Sequence, residues 1–321
     1  MHKWDRRRRI PPPGQPPIRW RDSVSDPTPG QLRGPSWRRS SYAHYVPAGL
    51  ELSTSQRIVE AAPLLGDRGA ITGWAAGYWL GAPLLGGSTV PLPLALGAAG
   101  KLRQRPGVES YRERLPADEV EQIRGVRCVT ALRAGFDSAR GKQGLRPAVA
   151  EVDMMLAAAI FTQEELSAYV EEHPGWRRVR QARRVLQLVD PRTASPPESR
   201  MRLAWMLDAG LPRPLVNPPI FDREGRLLGF ADAFDPESAT LLEYDSDNHR
   251  DLEYHTADNN REELFEDHGA TVCRVTRLDL SRPRSLLVNR MQRARLRGLA
   301  RDRKRDRWTL QPPPGWRDWW T

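Results

Sequence analysis

Asp232 and Glu243 are the residues whose types and spacing most directly suggest chemistry. They lie in the stretch from Ser195 to Thr276, which holds the densest group of carboxylate, histidine and asparagine side chains in the sequence. Asp232 lies on one predicted strand and Glu243 on the next, so their carboxylates can stand side by side. Two adjacent carboxylates repel each other unless a positive group holds them. A hard cation such as Mg²⁺ prefers oxygen ligands, so the pair predicts a divalent-metal site.

The elements that must position this pair follow from local patterns. Ser195 is a suitable N-cap with Glu198 at the capping-box position, and Gly210 ends the helix that they start. Apolar runs bounded by turn residues predict four strands, and an amphipathic segment predicts a second helix. The strands are predicted at Leu215–Phe221, Leu227–Phe234, Thr240–Asp245 and Thr271–Thr276, and the helix at His255–His268. The order of elements is therefore α-β-β-β-α-β.

The strand Thr240–Asp245 decides which polar side chains share a face, because successive side chains of a strand alternate. One face holds Leu241, Glu243 and Asp245, and the other holds Leu242 and Tyr244. His249 follows in a loop near the end of the strand, and Glu198 could reach the same end of the sheet from its helix. We expect the carboxylates of Asp232 and Glu243 to lie on the order of 4–6 Å apart.

Together these motifs resemble the restriction-endonuclease-like (PD-(D/E)xK) superfamily, in particular its very-short-patch-repair-type branch. The motifs are Glu198-Ser199 on a helix, Asp232 ending a hairpin strand, Glu243-Tyr244-Asp245, His249, Asp258-x-x-Arg261 and the strand after Gly269. The resemblance covers roughly Ser195 to Leu280. The stretch from Pro47 to Asp190 is loosely similar to type IV abortive-infection antitoxins. The resemblance implies a restriction-endonuclease-like C-terminal domain that hydrolyses DNA phosphodiester bonds with the help of a metal ion.

The resemblance also implies which residues would hold the metal and move the proton. Asp232 and Glu243 would bind Mg²⁺ or Mn²⁺, and the Tyr244 carbonyl would complete the site. The bound ion would polarise the phosphate and lower the pKa of an attacking water. His249 would act as general base or stabilise the leaving oxygen.

Other polar residues of the motif would act around the metal. Glu198 or Asp245 would bind a second ion or orient the attacking water. Arg261 would neutralise the phosphate, or would pair only with Asp258 on its own helix. Arg200, on the first helix, is a further candidate for contact with DNA.

Three positions depart from the family pattern, and two other functions stay open. Ser246 stands where the family usually has Gly, and Ala270 stands where Trp is usual. Asp245 occupies the slot of the superfamily's Lys, although this branch commonly has Asp there. One alternative is a DNA-binding regulator or antitoxin-like protein with a decayed nuclease site. The other is an interaction protein whose arginine-rich tails bind RNA or another acidic partner.

The net charge and the number of cysteines indicate a kind of partner and a cellular compartment. The chain has 321 residues and a formal net charge of +10, which favours a polyanionic partner, with nucleic acid first. Only Cys128 and Cys273 are present. Two cysteines alone build neither a disulfide framework nor a zinc site, so we expect the reducing cytoplasm.

Composition divides the chain into two α/β (α+β) domains with a tail at each end. We predict a disordered, basic, proline-rich tail at 1–47, a mostly helical or mixed domain with a few strands at 48–190, the restriction-endonuclease-like domain at 195–298, and a basic, tryptophan-rich tail at 299–321. The first tail is either a nucleic-acid arm or a solvated linker. The second either binds nucleic acid or docks its tryptophans on the protein's own surface.

The stretch between Arg68 and Lys101 carries no charge, which raises the question of a membrane span. Its glycines and prolines leave no uninterrupted helix of about 20 residues. We therefore predict a buried helix at Thr72–Leu80 and a strand at Thr89–Leu96 within a soluble domain, and no membrane association.

Helix signals fill the rest of the N-terminal half. Arg133 and Asp137 lie four residues apart on a predicted helix and can pair across one turn. Trp176–Val189 is predicted to be amphipathic, with a row of arginines facing outward. The row includes Arg177, Arg180 and Arg184, which could follow the phosphates of a nucleic acid or could simply be solvated.

Overall fold

The computed structural model describes residues 9–22, 27–87, 89–245, 262–281 and 283–317. Contacts within the chain separate two compact units, with the division between Gln187 and Leu188. Each unit contains helices and sheets, so the α+β class predicted from the sequence is confirmed. The division falls close to the boundary expected between residues 190 and 195.

The first strands of the N-terminal unit form a small antiparallel sheet in the order β1-β3-β2. They are β1 (Ile18–Arg19), β2 (Trp37–Ser41) and β3 (His44–Pro47). The prediction of a disordered tail at 1–47 is therefore wrong for the described residues of this stretch. Leu32 and Val46 are fully buried, and the Gln56 side chain exchanges two hydrogen bonds with the backbone of Gln15. A segment too polar to fold alone is thus held by residues outside it.

The rest of the N-terminal unit combines helices with a five-stranded sheet in the order β6-β5-β4-β8-β7. Its strands are β4 (Ala70–Ile71), β5 (Leu92–Ala95), β6 (Val108–Tyr111), β7 (Val120–Ile123) and β8 (Val126–Val129). Its helices are α1 (Thr54–Ala61), α2 (Gly73–Leu80), α3 (Ala131–Ala139), α4 (Leu145–Ala157), α5 (Gln163–Glu171) and α6 (Val179–Leu186). The amphipathic helix predicted at Trp176–Val189 is shorter at both ends. It starts late because Arg178, the residue before α6, adopts a left-handed conformation.

The uncharged stretch between Arg68 and Lys101 is broken into α2 and β5, as predicted. Gly81 ends α2 at φ 119°, a conformation that glycine adopts without steric cost. None of the helices within the described residues is both long and apolar enough to cross a membrane.

The C-terminal unit is organised around a four-stranded sheet in the order β14-β13-β12-β9. Helix α7 (Pro196–Leu203) precedes the sheet and continues as a π-helical turn (Ala204–Asp208). The strands of this unit are β9 (Leu215–Val216), β10 (Pro219–Asp222), β11 (Leu227–Phe230), β12 (Ala233–Asp235), β13 (Thr240–Asp245), β14 (Thr271–Thr276) and β15 (Trp308–Thr309). The later helices are α8, of which residues 262–267 are described, α9 (Arg277–Ser281) and α10 (Ser285–Leu299). Strands β13 and β14 match the predicted bounds at both ends and run parallel to each other.

The two continuous strands predicted at Leu215–Phe221 and Leu227–Phe234 are each split in two. Their first and last parts, β9 and β12, join the main sheet, whereas β10 and β11 pair in a second sheet with β15. Asn217 has φ 47° and is followed by two prolines, which cannot donate to a strand ladder. The bend at Asp232, between β11 and β12, interrupts the other strand. Local backbone breaks thus override the apolar pattern.

The C-terminal segment packs on its own unit. Strand β15 pairs with β10. The rings of Trp308 and Phe234 meet edge to face at 5.0 Å, and those of Trp316 and Phe221 at 4.8 Å. Of the two alternatives for this tail, the described tryptophans follow the second, because they dock on the protein's own surface. Trp319 and Trp320 lie outside the described residues.

Candidate metal and nucleic-acid site

Asp232 lies in the bend just before β12, and its carboxylate is fixed by the neighbouring strand. One carboxylate oxygen, Oδ2, accepts a hydrogen bond of 2.8 Å from the backbone N–H of Tyr244. The residue is only 2% exposed. Because β12 pairs with β13, Asp232 stands next to the strand that carries Glu243, as the sequence predicted. The separation of the two carboxylates, on the order of 4–6 Å, stays a prediction.

Strand β13 divides its side chains between two apolar clusters as its period of two predicts. Leu242 and Tyr244 pack with α7, the π-helical turn and α10. Leu241 packs in the other cluster with Phe234 and Phe265, the second of which lies in α8. Glu243 alternates with Tyr244 and so lies on the Leu241 face of the sheet. The metal candidate is therefore on the face that α8 covers.

The register of the sheet aligns polar residues that lie in or directly beside its four strands. Ala233 pairs with Leu242 on one side and Val216 on the other, so Asp232 falls between Glu243 and Asn217. The backbone N–H of Asn217 donates to the Asp232 carbonyl at 3.3 Å.

The alignment continues onto β14, where Glu243 pairs in register with Arg274. Arg274 forms an ion pair with Glu262 of α8. The ion pair ties the described start of α8 to the strand beside Glu243.

Glu198 is held in place at the start of α7. Its carboxylate accepts hydrogen bonds from the backbone N–H of Ala194 at 2.8 Å, the hydroxyl of Ser195 at 3.0 Å and the amide of Asn217 at 3.1 Å. Ser195 caps the helix in return. Glu198 is 4% exposed. It therefore connects the helix start to the residue that lies beside Asp232, a geometry that suits a positioning residue.

The remaining residues of the motif are only partly described. Asp245 is half-buried at the end of β13. His249, Asp258 and Arg261 lie outside the described residues. Among the residues that the structure does describe, no group of three or more histidine, cysteine, aspartate or glutamate side chains is arranged to hold a metal ion. The candidate ligand set of two carboxylates and the Tyr244 carbonyl offers only oxygen atoms, which is the chemistry that Mg²⁺ and Mn²⁺ prefer.

The arginines predicted to contact nucleic acid are exposed side chains in two places. Arg200 is exposed on α7 in the C-terminal unit. Arg177, Arg180 and Arg184 are exposed at the start and along one side of α6 in the N-terminal unit. The structure thus does not bring these three together with Asp232 within one unit.

Sequence reasoning missed most of a buried ion network in the N-terminal unit. It predicted only the pair Arg133–Asp137, which is confirmed at 3.0 Å. Asp137 also accepts two hydrogen bonds from Arg140, at 3.0 and 2.6 Å, and one from Thr72 at 2.5 Å. Arg133 binds Glu119 at 2.5 Å. The short spacing of Asp137 and Arg140 on α3 could have revealed that pair, but Thr72 and Glu119 are distant in sequence.

The network and the ring contacts of Phe136 with Tyr169 and Trp176 hold α3, α5 and the turn before α6 together. The guanidinium groups of Arg133 and Arg140 lie 4.5 and 5.0 Å from the ring centre of Trp176. Burial alone would lower the pKa of both arginines, but the adjacent carboxylates outweigh it and raise the pKa. Both guanidinium groups therefore remain charged inside the unit.

Comparison with known proteins gives no relative: no family model, no curated protein and no solved structure matches this chain.

Proposed function

We propose that the C-terminal unit hydrolyses phosphodiester bonds of DNA in a metal-dependent reaction, with Asp232 and Glu243 as the metal ligands. The observation that carries the proposal is the 2.8 Å hydrogen bond from the Tyr244 N–H to the Asp232 carboxylate. A backbone N–H donor fixes the direction in which the carboxylate points. The bond also keeps Asp232 beside the Glu243-Tyr244-Asp245 segment of β13.

The order of the main sheet supports the same proposal. Along the chain α7 is followed by three strands of this sheet, then by α8 and by β14, which is parallel to β13. This order agrees with the α-β-β-β-α-β core expected from the resemblance to restriction endonucleases, with β10 and β11 as a separate hairpin between its strands. In this core Asp232 and Glu243 belong to adjacent strands.

Each residue of the candidate site would have its own role in the reaction. Asp232, Glu243 and the Tyr244 carbonyl would hold Mg²⁺ or Mn²⁺, which supplies a Lewis acid for the phosphate and a lower pKa for water when it is bound. His249 would accept the proton of the attacking water or stabilise the leaving oxygen. Asp245 would orient that water.

The residues around the metal ligands would position them and hold the substrate. Glu198 would fix the start of α7 against Asn217, next to Asp232. Arg200 and Arg261 would neutralise the phosphates of bound DNA, and Arg177, Arg180 and Arg184 of the N-terminal unit would also bind nucleic-acid phosphates. A cytoplasmic location accords with Cys128 and Cys273, which are both buried and free.

Nicking of plasmid DNA in Mn²⁺ by the wild type and by Asp232→Asn tests the proposal. The substitution keeps the side-chain shape and the acceptor for the Tyr244 N–H but removes an anionic ligand, so cutting should be lost. Binding to DNA should persist or tighten, because one negative charge has gone. Asp267→Asn, which changes an exposed aspartate of the same unit, should cut at the wild-type rate. Equal rates for the wild type and Asp232→Asn would refute the assignment, whereas DNA binding without cutting by the wild type would favour the non-catalytic regulator.

His249→Ala is a second variant for the same nicking assay, and it should slow cutting rather than abolish it. Loss of the proton-transferring side chain should slow cutting by about 10²–10⁴-fold without changing the metal requirement. An unchanged rate would remove His249 from the mechanism and leave the metal site in place.

A further inference from the structure

The N-terminal unit contains a cavity of about 260 Å³ with a strongly cationic wall. Its lining includes Arg112, Arg140, Lys142, Arg177 and Arg178, and Glu113 is the only acidic residue among those that line it. These residues come from the end of β6, from α3 and the turn after it, and from the turn before α6. The cavity is thus a meeting point of three separate segments of the chain.

Three of the five cations are available to a ligand. Arg140 is 2% exposed and is neutralised by Asp137 and Glu113. Lys142 forms an ion pair with Glu109 at 3.3 Å. By contrast, Arg112, Arg177 and Arg178 are exposed, and none of the three has a carboxylate partner among the residues that the structure describes.

The wall that carries two of these arginines is built rigidly. Arg140 donates a hydrogen bond of 3.3 Å to the Arg177 carbonyl, so the buried ion network supports the backbone of the cavity wall. The next residue, Arg178, has φ 60° and ψ 22°, a left-handed conformation that costs a non-glycine residue about 1–2 kcal/mol. Arginine at this position is therefore not explained by backbone preference.

The shape and lining of the cavity favour a phosphate group over a nucleobase. Guanidinium groups match phosphate oxygens in a bidentate geometry. Tyr111 is the only aromatic residue in the lining, and it offers no open ring for stacking. It is 8% exposed, and the Lys142 ammonium group lies 4.6 Å from its ring centre. At about 260 Å³, the cavity has room for a phosphate group together with part of the molecule that carries it.

We infer that this cavity is a phosphate-binding site in which Arg112, Arg177 and Arg178 hold the ligand and Arg140 supports them. The phosphate is either a free phosphate or the terminal phosphate of a nucleic acid strand. The site belongs to the N-terminal unit and does not depend on the nuclease proposed for the C-terminal unit.

Two matched double variants of the full-length chain test the site. Arg112→Gln/Arg178→Gly removes two arginines from the cavity, and glycine at 178 relieves the left-handed backbone rather than straining it. Arg103→Gln/Arg114→Gln removes the same charge from exposed positions of a neighbouring segment that do not line the cavity. Equal thermal melting of both variants and the wild type checks that each one folds.

Binding is measured in two arms at low ionic strength. The first is calorimetric titration with inorganic phosphate, and the second is fluorescence anisotropy of a single-stranded oligonucleotide that carries a 5′-phosphate or a 5′-hydroxyl. In whichever titration the wild type binds, Arg112→Gln/Arg178→Gly should have a dissociation constant about tenfold higher or more. The dissociation constant of Arg103→Gln/Arg114→Gln should stay within about twofold of the wild-type value. Binding of inorganic phosphate that competes with the oligonucleotide identifies a free phosphate as the ligand, whereas a preference for the 5′-phosphate alone identifies a strand end. Equal weakening by both variants, or no binding in either arm, would overturn the inference.

Discussion

The two units hold their key buried aspartates by different means. Asp137 in the N-terminal unit is bound by two arginines, at 3.0 and 2.6 Å, and by a threonine hydroxyl. Asp232 in the C-terminal unit accepts its 2.8 Å hydrogen bond from a backbone N–H. The arginines compensate the charge of Asp137 inside the protein, and the backbone N–H of Tyr244 fixes the direction of the Asp232 carboxylate. We expect Asp137 to serve stability, whereas our proposal assigns Asp232 to a ligand of positive charge.

The largest expected effect is on the stability of the N-terminal unit, through Asp137→Asn. Removal of one partner from a buried ion pair leaves uncompensated charge, so the free energy of unfolding should fall by about 3–5 kcal/mol. Asp232→Asn keeps an oxygen acceptor for the Tyr244 N–H and should cost less than Asp137→Asn. Urea unfolding combined with hydrogen exchange in residues 131–139 would compare the two. Similar small losses for both variants would contradict the distinction between the two aspartates.

The next effect concerns Glu151, an acidic side chain on α4 whose carboxyl lies inside the N-terminal unit. Burial raises its pKa from 4.5 to about 7, and the negative charge of Glu109 acts in the same direction. Because the folded state binds this proton more tightly, stability should fall as the pH rises from about 4.5 through 7. Glu151→Gln should therefore stabilise the unit by about 2–3 kcal/mol at pH 8 and by little at pH 4.5.

Thermal and urea unfolding at the two pH values measure this effect. Glu164→Gln, at an exposed position of α5, is the control and should change stability at neither pH. A gain from Glu151→Gln that is the same at pH 4.5 and pH 8 would mean that the carboxyl does not titrate in this range.

Local signals predicted the parts of this fold that depend on neighbouring residues. The bounds of β13 and β14, the alternation of Leu241 and Leu242 between two cores and the Ser195 cap all follow from rules that act within a few residues. The split of the predicted hairpin did not follow, because one left-handed residue, Asn217, outweighs an apolar run. These signals also placed Asp232 and Glu243 on adjacent strands.

The same local rules could not predict contacts between residues that are distant in the sequence. Thr72 and Glu119 join Asp137 and Arg133 from 65 and 14 residues away, and nothing in their local sequence marks them. The strands in 9–47 are held partly by Gln56, which lies 41 residues from its partner Gln15. Ion networks and shared cores of this kind depend on the final packing and carry no periodic signature.

The third prediction concerns Trp308, whose contacts we expect to stabilise the C-terminal unit. Its ring meets Phe234 at 5.0 Å and 89°, and its strand pairs with β10. Trp308→Ala should lower the free energy of unfolding of this unit by about 2 kcal/mol, less than for a fully buried tryptophan because Trp308 is half-buried.

Trp308→Phe is the matched control for the aromatic contact. The indole N–H of Trp308 is buried and has no hydrogen-bond partner within the described residues. Phenylalanine keeps a ring against Phe234 and removes this buried donor, so it should cost much less than alanine. Equal losses for both substitutions, measured by urea unfolding, would show that the size of the indole rather than the aromatic contact matters.

The smallest expected effect is at Asp279, a carboxylate of the C-terminal unit whose pKa is lowered. Burial opposes the shift, but hydrogen bonds from Thr276 and the 2.6 Å ion pair with Arg290 lower its pKa below the ordinary 3.8. The stabilisation is therefore present above about pH 4 and is lost as the pH falls through the lowered pKa. Because the pair is partly exposed, Asp279→Asn should cost less than about 1 kcal/mol at pH 7. The difference from the wild type should vanish near pH 2 in urea unfolding, and a difference that persists there would contradict this origin.

The parallel pairing of β13 with β14 sets the time at which the candidate site can first exist. Antiparallel neighbours such as β12 and β13 are joined by a tight turn and can form early, but parallel strands must wait for a crossover, here residues 246–270. Closing that longer loop costs more chain entropy and slows folding. On the ribosome, Asp232 can meet Tyr244 soon after both are made, whereas Glu243 gains its second neighbour strand only after Thr276 has emerged. The nascent chain therefore passes through a stage in which the first ligand is in place and the wall of the site beyond Glu243 has not yet been made.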